Sequence, residues 1–284
     1  RSLYVDQFAR VPGRGTKEGR LAMIQTARSI LVTQGLKSLA HHAWWFVYRR
    51  TLRRLMPVTE PDVRLIDDVE FRNHTKPLRR MGDDLLAWRP HTYGQNAEVN
   101  SHRRFTLEGD RVGIIGGGPG VSTIHAARQV GDEGSVTVYE GGKIASLLRE
   151  VAQLNDVDDV VEIVEGIVGE ANMLYQGMAD EAEVVDPADL PPFDVLEMDC
   201  EGSELGILER LNIRPRVIIV ELHPSMYDGP NDAPLQEIEW MGYEIASCST
   251  QLGESLSQQE FSDRLARGCG DVLTATRPEK GWRS

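Results

Sequence analysis

From Gly109 onward, short runs of apolar residues alternate with stretches in which apolar residues recur every three to four positions. The short runs are typical of buried strands, and the longer spacing is typical of helices that bury one face. Elements that alternate in this way form a mostly parallel sheet with helices on both faces. The sequence therefore predicts a doubly wound α/β domain, with its first five strands at Val112–Ile115, Ser135–Tyr139, Val160–Val164, Asp194–Met198 and Val217–Val220.

Two further regions precede this domain. Residues 1–56 form a basic segment whose apolar spacing predicts helices, and residues 57–105 form a connecting region with short strands at Val63–Ile66 and Val69–Arg72. The main domain covers residues 106–278. Because 40% of the 284 residues are hydrophobic, the chain can bury one substantial core. We therefore expect one large domain with an N-terminal helical extension.

Charge is distributed unevenly along the chain. Residues 1–56 contain eleven Lys or Arg and two acidic residues, so they carry +9 and the other 228 residues carry −22, which gives the total of −13. An acidic body repels the phosphate backbone of a nucleic acid. The charge pattern therefore predicts that nucleic acid is not a partner.

A predicted helix over residues 36–55 places several aromatic residues just before a group of arginines. One interpretation is a helix in the membrane interface, with aromatic rings at headgroup level and arginines on anionic lipid. The other, which we favour, is a helix that packs its aromatic residues on the main domain and leaves its arginines in water. The first interpretation adds a peripheral contact at the inner face of the membrane.

Cysteine usage and hydropathy indicate the compartment. Cys200, Cys248 and Cys269 form no C-x-x-C pair and are too few for a disulfide framework. The sequence has neither the order of a signal peptide nor the run of about eighteen apolar residues that a membrane-spanning helix needs. These features predict a cytoplasmic protein.

A cluster of glycines follows the first predicted strand, and an acidic residue ends the second. Gly116, Gly117, Gly118 and Gly120 allow backbone amides to approach a ligand closely. Glu140, twenty-four residues after Gly116, can accept hydrogen bonds from both ribose hydroxyls. The pair favours a nucleoside-binding site over a purely structural turn.

Further ionisable residues follow the fourth and fifth strands: Asp199, Glu201, Glu221 and His223. Since the carboxyl ends of strands line the ligand crevice of a doubly wound sheet, these side chains are expected beside the glycine cluster. In a structural alternative, Glu201 or Ser203 caps the following helix and His223 only makes a hydrogen bond. No metal site is predicted, because Asp199, Glu201 and His223 fit no recognised ligand spacing, and metal dependence is left open.

The segment from Leu196 to Glu204 reads L-E-M-D-C-E-G-S-E. The next predicted strand leads into Glu221, as V-I-I-V-E over Val217–Glu221. Together with Gly116–Gly120, these residues resemble the FkbM-type S-adenosylmethionine-dependent methyltransferases, over roughly Tyr93 to Pro278. The chain departs from that family at Ile114 and Gly118, where most members carry Asp and Asn. The departure affects side-chain contacts to the methionine part of the cofactor and leaves backbone contacts possible.

The resemblance implies a Rossmann-like sheet of seven strands. Its last strand, Asp271–Thr276, is expected to insert antiparallel beside the sixth, near Tyr243–Ser247.

The resemblance also implies S-adenosylmethionine as the cofactor and assigns residues to it. Glu140 would bind the ribose, Gly166 and Ile167 would flank the adenine, and Asp199 would face the methionyl end. Glu98 would approach the cofactor from before the first strand.

Members of this family mostly methylate oxygen, so the expected reaction is O-methylation of a hydroxyl or carboxyl on a sugar, a glycan or a related small molecule. The general base is expected to be Glu221, His223 or Glu201, in that order. One alternative is an NAD-dependent oxidoreductase or epimerase, which is weakened because the last seventy residues or so hold no second glycine turn. Another is a nucleoside-binding scaffold without catalysis. The acceptor and the oligomeric state are left open.

Overall fold

The computed structural model describes residues 62–73, 96–169, 183–227 and 229–278. The chain divides into two compact units, residues 1–64 with 72–91 and residues 65–71 with 92–284. The basic segment 1–56 and its helix over 36–55 lie outside the described residues, so their predicted roles stay predictions. Among the helices that are described, none is long and apolar enough to cross a membrane.

Strands β1 (Asp62–Ile66) and β2 (Val69–Asn73) form a two-stranded hairpin at the predicted positions. Asp67 and Asp68 form its turn with positive φ angles of 49° and 62°, as a two-residue hairpin loop requires. The carbonyl oxygen of Asp67 accepts a hydrogen bond from His125 Nε2 at 2.8 Å, so the tip of the hairpin packs on the main domain.

Among the described residues, nine strands form one sheet at the centre of the main domain, in the order β10-β9-β11-β8-β7-β3-β4-β5-β6. Strands β3 to β8 are parallel to one another, and β11 lies antiparallel between β8 and β9. The strands are β3 (Arg111–Ile115), β4 (Ser135–Glu140), β5 (Val161–Val168), β6 (Glu183–Val185), β7 (Val195–Met198), β8 (Val217–Leu222), β9 (Glu244–Thr250), β10 (Ser255–Leu256) and β11 (Asp271–Thr276).

The doubly wound fold and the antiparallel last strand are confirmed, but the number of strands predicted, seven, was wrong for this sheet. The two additional strands, β6 and β10, lie at its edges and contain three and two residues. Strands this short have too few residues to show an apolar run or an alternation, and the sequence pattern therefore could not reveal them.

Helices cover both faces of the sheet and bury two separate apolar clusters. One cluster joins the first three helices to residues such as Val112 and Val138, and the other joins the last three to residues such as Leu196 and Val220. The helices are α1 (Asn96–Phe105), α2 (Val121–Val130), α3 (Gly142–Leu154), α4 (Glu204–Arg210), α5 (Ala233–Trp240) and α6 (Gln258–Ala266). Because every residue of β8 is buried, the central strands read as continuous apolar runs.

Helix α1 lies in the region for which the sequence predicted only a connection with short strands. Its inward face carries Glu98, Ser101 and His102, all of which are buried. A buried helix is recognised in a sequence by apolar residues spaced three or four positions apart. Here polar residues occupy several of those positions, so the spacing does not identify the helix. The same residues bring polar groups to the centre of the sheet, and they matter for the site described next.

Candidate active site

The glycine turn between β3 and α2 depends on two positions where a side chain would not fit. Gly116 has a φ of +85°, and a Cβ there would lie 2.0 Å from the carbonyl oxygen of Asp199. Gly120, at the start of α2, has a φ of +98°, and its Cβ would lie 2.6 Å from a methyl group of Leu148. The turn therefore passes directly against the end of β7 and against α3, which is possible only without side chains.

Glu140 ends β4 and holds the turn in place. Its Oε2 accepts a hydrogen bond from the Gly118 amide at 2.9 Å, and its Oε1 accepts one from the Gly141 amide at 2.8 Å. Burial raises the pKa of Glu140, and the two backbone hydrogen bonds counteract that effect. Since a carboxylate offers about four acceptor positions, each oxygen retains a lone pair for a ligand hydroxyl.

A cleft opens beside this carboxylate, and the space in it and at its mouth, open solvent included, is about 320 Å³. Four of the predicted cofactor residues line it, namely Gly116, Glu140, Gly166 and Ile167. The sequence reasoning missed six others: Ile115, Tyr139, Gly141, Val168, Cys200 and Ser203. Each of the six lies within four residues of a predicted one, so their position at a strand end was the signal that could have identified them.

The predicted ionisable residues after β7 and β8 come together at the same edge of the sheet. We call Asp199, Glu201, Glu221 and His223 the carboxylate–histidine cluster. Nε2 of His223 lies 3.5 Å from Glu221 Oε1, 3.6 Å from Asp199 Oδ1 and 3.9 Å from Glu201 Oε2. The structure thus places the three predicted catalytic residues next to one another and next to Asp199.

His223 is oriented by a residue whose role the sequence did not reveal. Its Nδ1 lies 2.7 Å from Oε1 of Glu204, and both side chains are buried. Burial alone lowers the pKa of His223, but the hydrogen bond with Glu204 and the charges of Glu221 and Asp199 outweigh it and raise the pKa to about 10. Nδ1 therefore faces away from the cluster, and Nε2 faces into it.

The carboxyl groups of the cluster are costly to ionise together. Burial raises the pKa of Glu221, while the charge of His223 and a hydrogen bond from the Gln251 side chain lower it. Burial and the charge of Glu221 raise the pKa of Asp199 well above its ordinary value. A carboxylate whose pKa is raised is a stronger base, which suits proton abstraction.

Glu98 reaches this cluster from α1. It is absent from the residues that line the cleft, and its carboxyl group lies beside that of Glu221. Only 1% of the residue is exposed, and within the described ranges neither carboxyl oxygen has a hydrogen-bond partner of normal geometry. Burial and the charges of Glu221, Glu197 and Asp199 raise the pKa of Glu98 well above its ordinary value.

A buried polar network lies behind the glycine turn. Glu197, in the middle of β7, accepts hydrogen bonds from Ser122 Oγ at 2.7 Å and contacts His102 Nε2 at 2.5 Å. The other ring nitrogen of His102 lies 2.8 Å from Thr106 Oγ1. The network ties α1 and α2 to the central strand, and it thereby fixes the helix that carries Glu98.

Residues 180–245 match the family model described as the methyltransferase FkbM domain. Over this segment the chain is similar to the FkbM methyltransferases. The match includes all four residues of the carboxylate–histidine cluster, and it confirms the resemblance predicted from the sequence.

Solved structures of methyltransferases and of one further transferase are similar to this chain at low sequence identity. An O-methyltransferase from Bacillus cereus in complex with SAH is 15% identical, with 89% of this chain and 97% of that chain covered and a TM-score of 0.40. A putative transferase from Pyrococcus horikoshii is 14% identical, with coverages of 76% and 71% and a TM-score of 0.45. The O-methyltransferase TomG from Streptomyces achromogenes in complex with SAM is 18% identical, with coverages of 65% and 79% and a TM-score of 0.39. No curated protein matches the sequence.

Proposed function

We propose that this protein transfers the methyl group of S-adenosylmethionine to an oxygen atom, a hydroxyl or a carboxyl, on a sugar, a glycan or a related small molecule. The observation that carries the proposal is the arrangement of two groups at one edge of the sheet. A cleft with a buried carboxylate, Glu140, adjoins a cluster of carboxylates and one imidazole. The first group suits a nucleoside, and the second suits removal of a proton.

The cleft fits the cofactor at several points. Glu140 keeps lone pairs for the two ribose hydroxyls, and Gly166 and Ile167 line the wall proposed for the adenine. At Gly116 a Cβ would lie 2.0 Å from the carbonyl oxygen of Asp199, so the glycine turn that lines the cleft lies directly against the end of β7. Asp199 is then the side chain proposed to face the methionine part of the cofactor.

The reaction moves one methyl group in a single displacement. The bond between the methyl carbon and the positive sulfur breaks as a new carbon–oxygen bond forms, and the sulfur leaves as a neutral thioether. The protein supplies alignment of the acceptor oxygen with the methyl group, and a base takes the proton of the acceptor hydroxyl. Glu221 is our first choice for that base, because burial raises its pKa and it lies 3.5 Å from His223.

His223 and Glu201 have supporting roles in this proposal. With a pKa of about 10, His223 carries a proton at neutral pH, so it stabilises the negative charge of the neighbouring carboxylates. Glu201, whose side chain is 23% exposed, lies at the open side of the cluster, where an acceptor would enter. It is the second choice for the base.

The two alternatives differ in what supports them. The family match over residues 180–245 supports a methyltransferase over an NAD-dependent oxidoreductase or epimerase. A scaffold that binds the nucleoside without catalysis has no need of a buried carboxylate cluster, since burying several carboxylates together is costly. We therefore favour catalysis.

Transfer of a labelled methyl group tests the proposal. The purified protein is incubated with S-adenosylmethionine carrying a tritiated methyl group and with a panel of nucleotide sugars, uronic acids and glycans. Alkali treatment of the product separates the two acceptor classes, because a methyl ester releases labelled methanol and a methyl ether does not. Label on an amine or a thiol acceptor alone would contradict oxygen as the target.

Substitution of Glu140 tests the cofactor site. We expect Glu140→Gln to weaken binding of S-adenosylhomocysteine by about 10- to 100-fold, because hydrogen bonds to a charged acceptor contribute about 1.5–3 kcal/mol. Burial raises the pKa of Glu140 from 4.5, so wild-type affinity should fall as the pH is lowered toward that raised value. The affinity of the glutamine variant should not follow this change. Calorimetric titration at several pH values measures both effects.

A matched control for this substitution lies on the surface. Glu165 pairs with Arg149 at an exposed position, so Glu165→Gln removes the same charge without touching the cleft. Its affinity should equal that of the wild type at each pH. If Glu140→Gln also binds like the wild type, the ribose assignment is wrong.

A further inference from the structure

We propose that Asp199, Glu221 and His223 bind a divalent transition-metal ion. Each residue offers one ligand atom, and the three atoms lie within 4.8 Å of one another. The proposal goes beyond methyl transfer and does not depend on it, because Glu221 offers one oxygen to the ion and keeps its second oxygen for a proton. It also reverses the sequence prediction of no metal site, which rested on linear spacing and did not include Glu221 among the ligands.

The distances within the cluster fit coordination better than direct pairing. His223 Nε2 lies 3.5 Å from Glu221 Oε1 and 3.6 Å from Asp199 Oδ1, whereas charge-assisted hydrogen bonds are about 2.7–2.9 Å long. Bonds from a metal ion to nitrogen or oxygen are about 2.0–2.2 Å, which separates neighbouring ligand atoms by about 3.0–3.5 Å. One ion between the three side chains would therefore need only small movements.

The orientation of His223 is the orientation that a metal ligand requires. Its Nδ1 contacts Glu204 Oε1 at 2.7 Å. When an ion replaces the proton on Nε2, the proton on Nδ1 stays with Glu204 and the lone pair of Nε2 is directed at the cluster. A histidine that binds a metal usually donates its other ring N–H to a carboxylate or a carbonyl group. Glu204 provides that carboxylate and is itself fully buried.

Glu98 provides a second, independent observation in favour of a cation site. Its carboxyl group is 1% exposed, lies beside Glu221, and has no hydrogen-bond partner of normal geometry among the residues that the structure describes. Burial of an unpaired carboxyl group costs free energy unless a partner compensates it. A divalent ion beside Glu221 and Asp199 would lower the cost of ionising these two carboxyl groups and that of Glu98 together.

The identity of the ion follows from the ligands. Imidazole nitrogen favours zinc, iron and other transition metals, and carboxylate oxygen favours manganese and magnesium. One imidazole with two carboxylates therefore suits Mn²⁺ or Zn²⁺ better than Ca²⁺. Asp199 and Glu201 are about one-fifth exposed, so the open side of the cluster leaves room for an oxygen of the acceptor as a further ligand. A metal ion lowers the pKa of an oxygen that it binds.

Direct metal binding tests the site without cofactor or acceptor. The full chain is stripped with a chelator, dialysed and titrated with MnCl₂, and the electron paramagnetic resonance signal of free Mn²⁺ is followed. A parallel titration uses ZnCl₂, with metal content read by mass spectrometry. We expect one ion per chain, and we expect the pulsed resonance spectrum of bound Mn²⁺ to show coupling to one directly bound nitrogen.

Variants separate this site from adventitious binding. Asp199→Asn and His223→Gln should each weaken binding about tenfold or more, Glu204→Gln should weaken it through the orientation of His223 by about tenfold, and the surface control Glu165→Gln should leave it unchanged. Because the nitrogen coupling is measured on the wild type, the test stands even if a variant does not fold. Absence of stoichiometric Mn²⁺ and Zn²⁺ binding, or bound Mn²⁺ without nitrogen coupling, would overturn the proposal. Metal binding without binding of S-adenosylhomocysteine would contradict only the proposed methyltransferase function.

Discussion

Replacement of Glu221 by glutamine is expected to lower kcat by about 100- to 10,000-fold, the range over which a positioned general base accelerates proton transfer. Glutamine has the size of glutamate but cannot accept the proton, and it keeps the hydrogen-bonding contact with Gln251. Since Glu221 is absent from the residues that line the cleft, the affinity for S-adenosylhomocysteine should be nearly unchanged. Initial rates at saturating substrate and calorimetric titration of S-adenosylhomocysteine measure the two quantities separately.

Comparison with the other cluster residues identifies the base. Glu201→Gln should reduce kcat less than Glu221→Gln if Glu221 takes the proton, and the order should reverse if Glu201 does. Measurement of bound Mn²⁺ in the same samples shows whether the loss of rate accompanies a loss of metal. Full activity in Glu221→Gln, Glu201→Gln and His223→Gln together would show that the catalytic assignment is wrong.

Substitution of Gly116 by alanine is expected to have the second large effect. A left-handed backbone conformation costs a residue with a Cβ about 1–2 kcal/mol, and here the Cβ would also lie 2.0 Å from the carbonyl oxygen of Asp199. The turn must therefore move away from β7. A displacement of about 1 Å at a positioned site can reduce activity about 100-fold, and we expect a loss of that size in kcat/KM.

The chain offers a matched control for this substitution. Gly206 lies in α4 with no atom within 4 Å of the position that a Cβ would take, and its φ is not in the left-handed range. Gly206→Ala should therefore preserve activity and leave the free energy of unfolding unchanged or raised by up to about 1 kcal/mol. Chemical denaturation and steady-state rates of both variants test the comparison. Normal activity in Gly116→Ala would contradict a turn that approaches β7 closely.

The sequence predicted the main strands and the edge of the sheet where the site lies, because both depend on local patterns. Buried parallel strands such as Val217–Val220 read as apolar runs, and the carboxyl ends of such strands share one edge of the sheet. That rule alone placed Asp199, Glu221 and His223 together, and the structure agrees. The glycines after the first strand indicated the tight turn because glycine readily adopts the positive φ angles that such a turn requires.

The parts that the sequence could not predict depend on contacts between distant segments. Helix α1 buries Glu98, Ser101 and His102 together with the apolar Ala97 and Val99, so its buried face is mixed and does not show a clear apolar spacing. Glu98 reaches the cluster because that helix packs beside β8 and β11. A glutamate such as Glu197 is not expected in a buried apolar strand. Its carboxylate is nevertheless stabilised by hydrogen-bonding contacts with Ser122 and His102, which lie on two different helices. The role of Glu204 likewise depends on His223, nineteen residues away. The spacing of residues within one segment gives no information about such contacts between segments.

The central claim is that the cleft beside Glu140 binds the nucleoside of S-adenosylmethionine. Calorimetric titration of the purified full chain with S-adenosylhomocysteine, with NAD as the parallel titrant, tests it most directly. We predict saturable binding of S-adenosylhomocysteine with a stoichiometry of one, and no binding of NAD. Binding of NAD alone would make Glu140 a ligand of a dinucleotide ribose and would contradict the claim, as would binding of neither compound.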